Sequence, residues 1–249
     1  KMKGVNLSNS TLTGLDLSYF DLSEVNLIDA VLRGTLLIEA NLSRSKLTGQ
    51  DFRDVNISGA NFQGADLSES DLRNLDLSGL NFSGANFSKS KITGTIFRGA
   101  NLVNSDLSEQ DLRSTDLFGA SLQGADLSES IFIDMNLSNS DLRDTNFVGS
   151  QLQKSILRSA NLIRSELRDV DLAGADLSSA NLTEADLSGA VLTDAILVNA
   201  NLNGADLRNT DLTGADLNNA DLSNIKISEA TLWQGAKGLE KAINQPFIK

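Results

Sequence analysis

An aliphatic or aromatic residue recurs at every fifth position of this chain, from Leu7 to Leu232. All 46 of these central positions hold Leu, Phe or Ile. The residue before the central one is Asp 18 times and Asn 13 times, and the residue two before it is usually Ala, Ser or Thr. A period of five matches neither the 3.6 of an α-helix nor the 2 of a β-strand, so the pattern predicts neither as a long element.

The unit, as in ADLSG at 185–189, indicates a short extended arm that ends in a corner. On an extended backbone the small residue and the central residue point to one side, while Asp or Asn points to the other. Because five is odd, this alternation cannot continue into the next unit without a turn. Gly occupies the position two after the central residue 16 times, where a corner favours positive φ. We therefore predict a solenoid whose central residues point to its axis.

The number of corners per coil follows from residues that recur in register. At the position before the central residue, Asn is concentrated in one column spaced by 20, namely Asn41, Asn61, Asn81, Asn101, Asn161, Asn181 and Asn201. In a solenoid, stacked residues of successive coils share a column. The spacing of 20 indicates four pentapeptides per coil and a square cross-section.

These units resemble the A(D/N)Lxx motif of the pentapeptide-repeat family. The resemblance covers residues 5–232 and implies an all-β fold, a right-handed quadrilateral β-helix. At 20 residues per coil the repeats would make about eleven coils in one domain, after an N-terminal remnant at 1–4. Members of the family have many functions, so the fold alone does not name the activity.

The motif stops after Leu232, and we predict that residues 233–249 form a C-terminal cap with a short helix. A solenoid must cover its terminal coil, because the backbone edge and core there are otherwise open. The residues that would cover it are Trp233, Leu239, Ile243 and Phe247. Family members that pair through a C-terminal segment leave open a second reading, in which these residues are a homodimer contact at one end.

Composition excludes several classes of function. The net charge is −12, so direct binding to nucleic acid, which requires a basic surface, is not expected. The chain contains neither His nor Cys, which removes the commonest general base and the thiol nucleophile. We predict no enzyme activity, catalytic residue, metal site or cofactor, and no membrane span. No signal peptide is visible, which favours the cytoplasm.

Seven positions before the central residue are apolar, where the repeat normally has Asp or Asn. They fall in two adjacent columns of the predicted coil: Val31, Ile131 and Val191 in the first apolar column, and Leu36, Ile96, Ile156 and Ile196 in the second. An outward apolar stripe is typical of a binding surface. A local backbone preference for β-branched residues would explain it equally well.

The sequence therefore predicts a non-enzymatic interaction module, a rigid acidic rod that docks a protein partner through its faces. The alternative, implied by the family resemblance, is a DNA mimic that binds DNA gyrase and protects it from quinolones. A rod of about eleven coils would be ~55 Å long at the spacing of stacked strands. Duplex DNA of that length carries roughly 32 phosphate charges, well above the net −12 of this chain.

Overall fold

A computed structural model of the chain describes residues 2–241, which belong to two compact units, Lys1–Ala125 and Asp126–Lys249. Within each unit the backbone winds so that a residue pairs in parallel with the residue 20 positions later. Asn61 pairs with Asn81 in unit 1, and Asp186 pairs with Asp206 in unit 2. This spacing confirms four pentapeptides per coil. Each arm contributes a single bridged residue rather than a longer strand, and in the described part of the chain the one helix is a 3₁₀ turn, Leu239–Lys241.

The central residues form the core of both units. From Leu12 to Leu122 in unit 1, and from Leu127 to Leu222 in unit 2, every one of them is at most 8% exposed. The small residue two before the centre lies on the same inner side and lets the walls approach. Full burial of a Leu or Phe side chain contributes about 1.5–3 kcal/mol, so the five-residue pattern supplies most of the driving force for folding. The inward assignment of these residues is confirmed.

The corners are built by left-handed backbone two residues after each centre. From residue 4 to residue 224, every corner of the described chain has φ between 51° and 74° except those at Asp54 and Ser114. Many of these corners carry residues other than Gly, Asn or Asp, such as Glu184 and Ser179 at φ 58°. A non-glycine residue in this region costs about 1–3 kcal/mol, which the surrounding coil has to outweigh.

In unit 1 the pairing between coils is interrupted on the two faces that carry the apolar columns. The Gly34 N–H donates to the Asp54 carbonyl, 20 residues on, whereas the Gly14 N–H donates to Arg33, 19 residues on. Among the residues that the structure describes, Val31 pairs with Thr11 but not with Asp51, and no backbone hydrogen bond joins Leu32 to Asp51. A cleft of about 370 Å³ opens there. It is lined by Asp29, Ala30, Val31, Leu32, Arg33, Gly49, Gln50, Asp51 and Asp54.

In unit 2 the same two faces are paired without interruption. The first column runs Ile131–Gln151–Asp171–Val191–Asp211, and the second runs Asn136–Ile156–Asp176–Ile196–Asp216. The inner residues of the second-column wall differ between the units. At the position two before the centre, unit 1 has Val55 and Leu75 on this wall, where unit 2 has Met135 and Ser155 followed by Ala175, Ala195 and Ala215. The Ile156 N–H still donates to the Met135 carbonyl at 2.8 Å, so a large inner residue does not by itself interrupt the pairing.

The register shifts by one residue after Lys226. Lys226 pairs with Asp206 at a spacing of 20, but Leu232 pairs with Asp211 and Lys237 with Asp216, both at a spacing of 21. The extra residue is accommodated at 228–231, where the Thr231 hydroxyl donates to the Leu207 carbonyl and accepts from the Ser228 N–H. The prediction that Leu232 points to the axis is therefore wrong. It takes the outward position and is 50% exposed.

Trp233 follows Leu232 and so takes the inward position of the shifted arm, where it is half-buried. The Ala236 N–H donates to the Trp233 carbonyl, as the Ala215 N–H does to Leu212 one coil earlier. Leu239 begins the 3₁₀ turn and is also half-buried. Ile243 and Phe247, the other two residues predicted to form the cap or a dimer contact, lie outside the described residues. The C-terminal cap stays a prediction.

Candidate partner-binding surface

The seven apolar positions are divided between the two units, and within each unit they fall in the predicted columns. In unit 1, Val31 and Leu36 lie in consecutive arms of one coil, and Ile96 lies in the second column between Asp76 and Asp116. In unit 2, Ile131 and Val191 belong to the first column. Ile156 and Ile196 belong to the second, separated by Asp176 alone. The coils therefore bring these residues onto shared faces, as their spacing predicted.

Four of the seven are well exposed to solvent. Val31 is 48%, Leu36 37%, Val191 36% and Ile196 38% exposed, while Ile96, Ile131 and Ile156 are half-buried. The most exposed aliphatic or phenyl side chain described, Phe118 at 78%, follows the second column in unit 1. The outward direction of the stripe is thus observed, with its most open positions near Val31 in unit 1 and near Val191 in unit 2.

The polar residue of the repeat has a structural task that an apolar residue cannot perform. The Asp186 carboxylate, for example, accepts a hydrogen bond from the Ser188 N–H two residues on, at 3.1 Å. Asp171 and Asp211, above and below Val191, accept in the same way from Ala173 and Thr213. Val191 offers no such acceptor to the Thr193 N–H. One hydrogen bond of this kind contributes about 0.5–1.5 kcal/mol, so the apolar residue is not the one that local structure favours.

The backbone at these positions is otherwise regular. The Val191 N–H donates to the Val170 carbonyl at 2.9 Å, and the Ile196 N–H donates to Ala175 at 2.9 Å. No local distortion therefore calls for a β-branched side chain at either place. This observation weakens the explanation that backbone preference alone produces the stripe.

Arginine pairs with the aspartates of the first apolar column in unit 1. Arg53 and Arg73 each donate two side-chain hydrogen bonds to the aspartate two residues earlier, Asp51 and Asp71. Arg53 also reaches across to Asp71, at 3.4 Å. The hydrogen bond from Arg73, assisted by a backbone N–H and by the charge of Arg53, lowers the pKa of Asp71 to about 2. Arg113 and Asp111 form the same kind of pair.

Unit 2 has aspartates on these faces without the matching arginines. Asp171, Asp211 and Asp216 accept hydrogen bonds from neutral donors such as the Gln153 amide, and among the described residues none of them forms an ion pair. One pair on these faces, Arg158 with Asp176 at 2.6 Å, is the counterpart of those in unit 1. Negative charge therefore stands beside Val191 and Ile196 in unit 2. In unit 1, Arg53 pairs with Asp51 next to Val31, while Asp16 next to Leu36 makes no ion pair among the described residues.

Counts over the whole of these two faces give a small difference in net charge. In unit 1 the charged residues are Asp16, Glu39, Asp51, Asp54, Asp71, Asp76, Asp111 and Asp116 against Arg33, Arg53, Arg73, Lys91, Arg98 and Arg113. In unit 2 they are Asp134, Asp171, Asp176, Asp194, Asp211 and Asp216 against Lys154, Arg158 and Lys237. Eight against six leaves a net −2, and six against three leaves a net −3, so the units differ mainly in which aspartates are paired.

Sequence reasoning missed Leu232 as a surface residue, because it continues the five-residue phase. The register shift places it outward in the first column, next to Asp211, with Val191 on the other side of that aspartate. The sequence does carry a signal. Gly235 falls one residue after the position that the repeat reserves for a corner glycine. The exposed residues of the apolar columns in unit 2 are therefore Val191, Ile196 and Leu232, and the central residue Ile227 is 37% exposed as well.

The described part of the chain contains neither a candidate metal site nor a candidate membrane-spanning helix. Across residues 2–241, no three carboxylates come together in a way that could hold a metal ion. No helix in this range is long and apolar enough to cross a membrane. The notable features of the surface are therefore its exposed apolar residues and its charges.

The repeat, the square coil and the outward stripe define a solenoid repeat protein, and comparison with known families identifies which one. The family model described as Pentapeptide repeats (8 copies) matches residues 1–27, 21–54, 51–88, 60–99, 81–119, 93–128, 120–158, 155–194 and 195–234. The chain belongs to the pentapeptide-repeat family, whose fold is the right-handed quadrilateral β-helix. Curated protein sequences contain no match to this chain.

Several solved structures are similar to the chain. A pentapeptide repeat protein of the Arabidopsis thaliana thylakoid lumen is 32% identical over 41% of this chain and 67% of its own, with a TM-score of 0.31. HetL of Nostoc sp. strain PCC 7120, involved in heterocyst differentiation regulation, is 27% identical over 99% and 92%, with a TM-score of 0.26. A trypsin-treated form of QnrB1, a plasmid-mediated fluoroquinolone resistance protein, is 23% identical over 78% and 91%, with a TM-score of 0.35.

Proposed function

We propose that the chain is a non-enzymatic protein-interaction module that docks a protein partner through the faces carrying the two apolar columns. The observation that supports this most directly is the exposure of Val31, Leu36, Val191 and Ile196 in positions where the repeat provides Asp or Asn. These residues give up a hydrogen bond to the backbone and place apolar surface in water, and both cost free energy. Binding to a partner would recover that cost, because docking removes the apolar surface from water.

The repeats are rigid enough for such a role. At four pentapeptides per coil, the 46 repeats would make about eleven coils in total. Stacked coils change shape little on binding, so the partner would meet a preformed surface and little entropy would be lost in ordering it. Docking through an end of the solenoid, with Trp233 and Leu239 as contacts, is a second mode that would yield a homodimer.

The test replaces Val191 and Ile196 by Asn, which restores the hydrogen bond to the backbone without changing the charge. We expect the Val191→Asn/Ile196→Asn variant to melt at the same or a higher temperature than the parent. Both proteins are immobilised and exposed to lysate of the native host, and the captured protein is identified by mass spectrometry and repurified. Val31→Asn/Leu36→Asn makes the matching change in unit 1.

At least one of the two double variants should bind the repurified partner ten-fold more weakly than the parent does. Equal binding by both variants and the parent would show that these faces do not dock the partner. Melting several degrees below the parent would instead support a structural role for the apolar residues.

A role as a gyrase-binding DNA mimic is the second candidate, supported by family membership and by the net charge of −12. The Arg–Asp pairs of unit 1 reduce its negative charge, which a mimic of the phosphate backbone would need. We expect the purified protein to inhibit supercoiling by gyrase weakly or not at all at micromolar concentration. Inhibition below that concentration, reversed by excess gyrase, would reverse the ranking of the two candidates.

A further inference from the structure

Unit 2 carries an acidic apolar surface, which we define by Val191, Ile196 and Leu232 with Asp171, Asp211 and Asp216. Its aliphatic side chains stand at a regular distance from one another. Val191 and Leu232 lie two coils apart in the first column, with Asp211 between them. Stacked strands are ~4.8 Å apart, so the two aliphatic side chains stand roughly 10 Å apart with a carboxylate midway. Ile196 lies one arm further along the chain from Val191, beside Asp176 and Asp216.

That spacing matches one kind of partner segment better than another. In an α-helix, residues i and i+7 are about 10.5 Å apart on one face, and residues i+3 and i+4 lie about halfway between them. In an extended segment, residues on one face repeat every ~6.6 Å, which places none at 10 Å. A helix with aliphatic residues at i and i+7 and lysine or arginine between them would fit the row Val191–Asp211–Leu232.

The charges of this surface favour a positively charged partner. Asp171, Asp211 and Asp216 make no ion pair among the residues that the structure describes, and Asp211 and Asp216 accept hydrogen bonds only from neutral donors two residues on. An incoming carboxylate would be repelled here, while an incoming ammonium or guanidinium group would find several carboxylates. Lys237, which pairs through its backbone with Asp216, marks the edge of the negative region.

We propose that the acidic apolar surface binds a cationic amphipathic helix of a partner protein, with aliphatic residues at i and i+7 over Val191 and Leu232 and basic residues at i+3 and i+4 over Asp211. This inference rests on the proposed function and names the chemistry of the partner and the unit that receives it. The first column of unit 1 does not offer the same combination, because Arg53, Arg73 and Arg113 pair with its aspartates Asp51, Asp71 and Asp111.

The probe is a synthetic 18-residue helical peptide with Leu at i and i+7 and Lys at i+3 and i+4, labelled with a fluorophore and titrated with the full chain. Two control peptides have Glu in place of each Lys, or the same composition in scrambled order. We expect the Glu peptide and the scrambled peptide to bind at least ten-fold more weakly than the probe. Binding of the probe should weaken as salt is raised from 50 to 300 mM, because screening reduces the attraction between charges.

Variants of the protein locate the site. Val191→Asn/Ile196→Asn and, separately, Asp211→Asn/Asp216→Asn should each weaken binding of the probe about ten-fold, and the aspartate variant should also lose most of the salt dependence. The matched Val31→Asn/Leu36→Asn variant should bind the probe within two-fold of the parent. Melting curves on the same samples check that each variant is folded. If the Val191→Asn/Ile196→Asn variant is unfolded, the Asp211→Asn/Asp216→Asn variant alone tests whether this surface binds the probe.

Several outcomes would overturn the proposal. They are no binding of the probe to the parent, equal binding of the Glu or scrambled peptide, and equal weakening by the unit 1 variant. Sedimentation showing a dimer that the Val191→Asn/Ile196→Asn variant abolishes would name a second copy as the occupant. If the unit 1 variant no longer binds the repurified partner and the parent does not bind the probe, the proposed function is supported and this inference is wrong.

Discussion

The two units follow one repeat but use the same two faces in different ways. In unit 1 these faces carry interrupted pairing between coils, and the aspartates of the first apolar column pair with arginine. In unit 2 the pairing is continuous, and Asp171, Asp211 and Asp216 make no ion pair among the described residues. Packing between coils depends on the inner positions, whereas the charge outside depends on the residue after the centre, such as Arg53 or Arg73. The two properties can vary independently, because they point to opposite sides of the backbone.

The largest effect is expected from a charge placed in the core of either unit. Leu42 in unit 1 and Leu182 in unit 2 are both 0% exposed and occupy the same inward column. Replacing either by Lys buries an ammonium group without a partner, which should cost more than about 4 kcal/mol. Hydrogen exchange should show protection lost around the substituted coil and retained in the distant coils, as in other repeat proteins. Loss spread evenly over all coils would contradict independent units.

The second prediction tests whether residue size causes the interruptions. Ala195→Leu places in unit 2 the residue that unit 1 has at position 75. We expect overpacking to cost about 1–3 kcal/mol in a denaturant titration. The amide of Ile196 should lose protection against exchange, because its bond to the Ala175 carbonyl would lengthen.

A matched control is Ala200→Leu, one arm away, on a wall where unit 1 already has Leu80 and an intact pairing between Asn61 and Asn81. If Ala195→Leu and Ala200→Leu have equal effects on exchange, the size of the residue on the apolar-column wall is not the cause.

Acid should destabilise unit 1 through Asp71. Its pKa is lowered to about 2 in the folded protein by Arg73 and Arg53, against an ordinary value of 3.8. Its stabilising contribution is present above the ordinary value and is lost as the pH falls toward 2, and it amounts to on the order of 2 kcal/mol. Asp71→Asn should therefore be less stable than the parent at pH 6, and the gap should close by pH 2. A gap that is the same at both pH values would exclude this linkage.

The smallest effect concerns the corners. Ser179 and Ser159 hold φ values of 58° and 55°, which glycine adopts without a steric penalty. We expect Ser179→Gly to raise the free energy of unfolding by about 0.5–1 kcal/mol. Ser188→Gly lies in a turn at a position without positive φ and also loses the hydrogen bond from the Ser188 hydroxyl to Asp186, so it should lower the free energy of unfolding by a similar amount. A loss at both positions would mean that the entropy of the unfolded chain outweighs the relief of strain.

Much of the fold follows from local pattern. The central residues, the corners and the 20-residue register could all be read from the sequence, because each depends on the alternation of one arm and the turn that ends it. The faces on which the apolar residues lie could be predicted for the same reason, since outward and inward positions are fixed within an arm, while their role in binding stays a prediction. The charge difference between the two units could be predicted only in part from the sequence. Arg53 and Arg73 could be placed beside Asp51 and Asp71, but the contact of Arg53 with Asp71 in the next coil depends on stacking.

The square solenoid can be read from the amino-acid sequence alone, because a five-residue period with a corner residue in each unit is satisfied locally and repeats without change. Which residues of neighbouring coils face one another depends on how the coils stack. Leu232 keeps the period of the sequence yet points outward, because the pairing shifts by one residue after Lys226 and Thr231 takes the inner position, with its hydroxyl bonded to the Leu207 carbonyl. Val31 and Val191 occupy the same place in the repeat, but one borders a cleft and the other a closed ladder. Those outcomes depend on the size and hydrogen bonding of residues 20 positions away, which no single repeat unit contains.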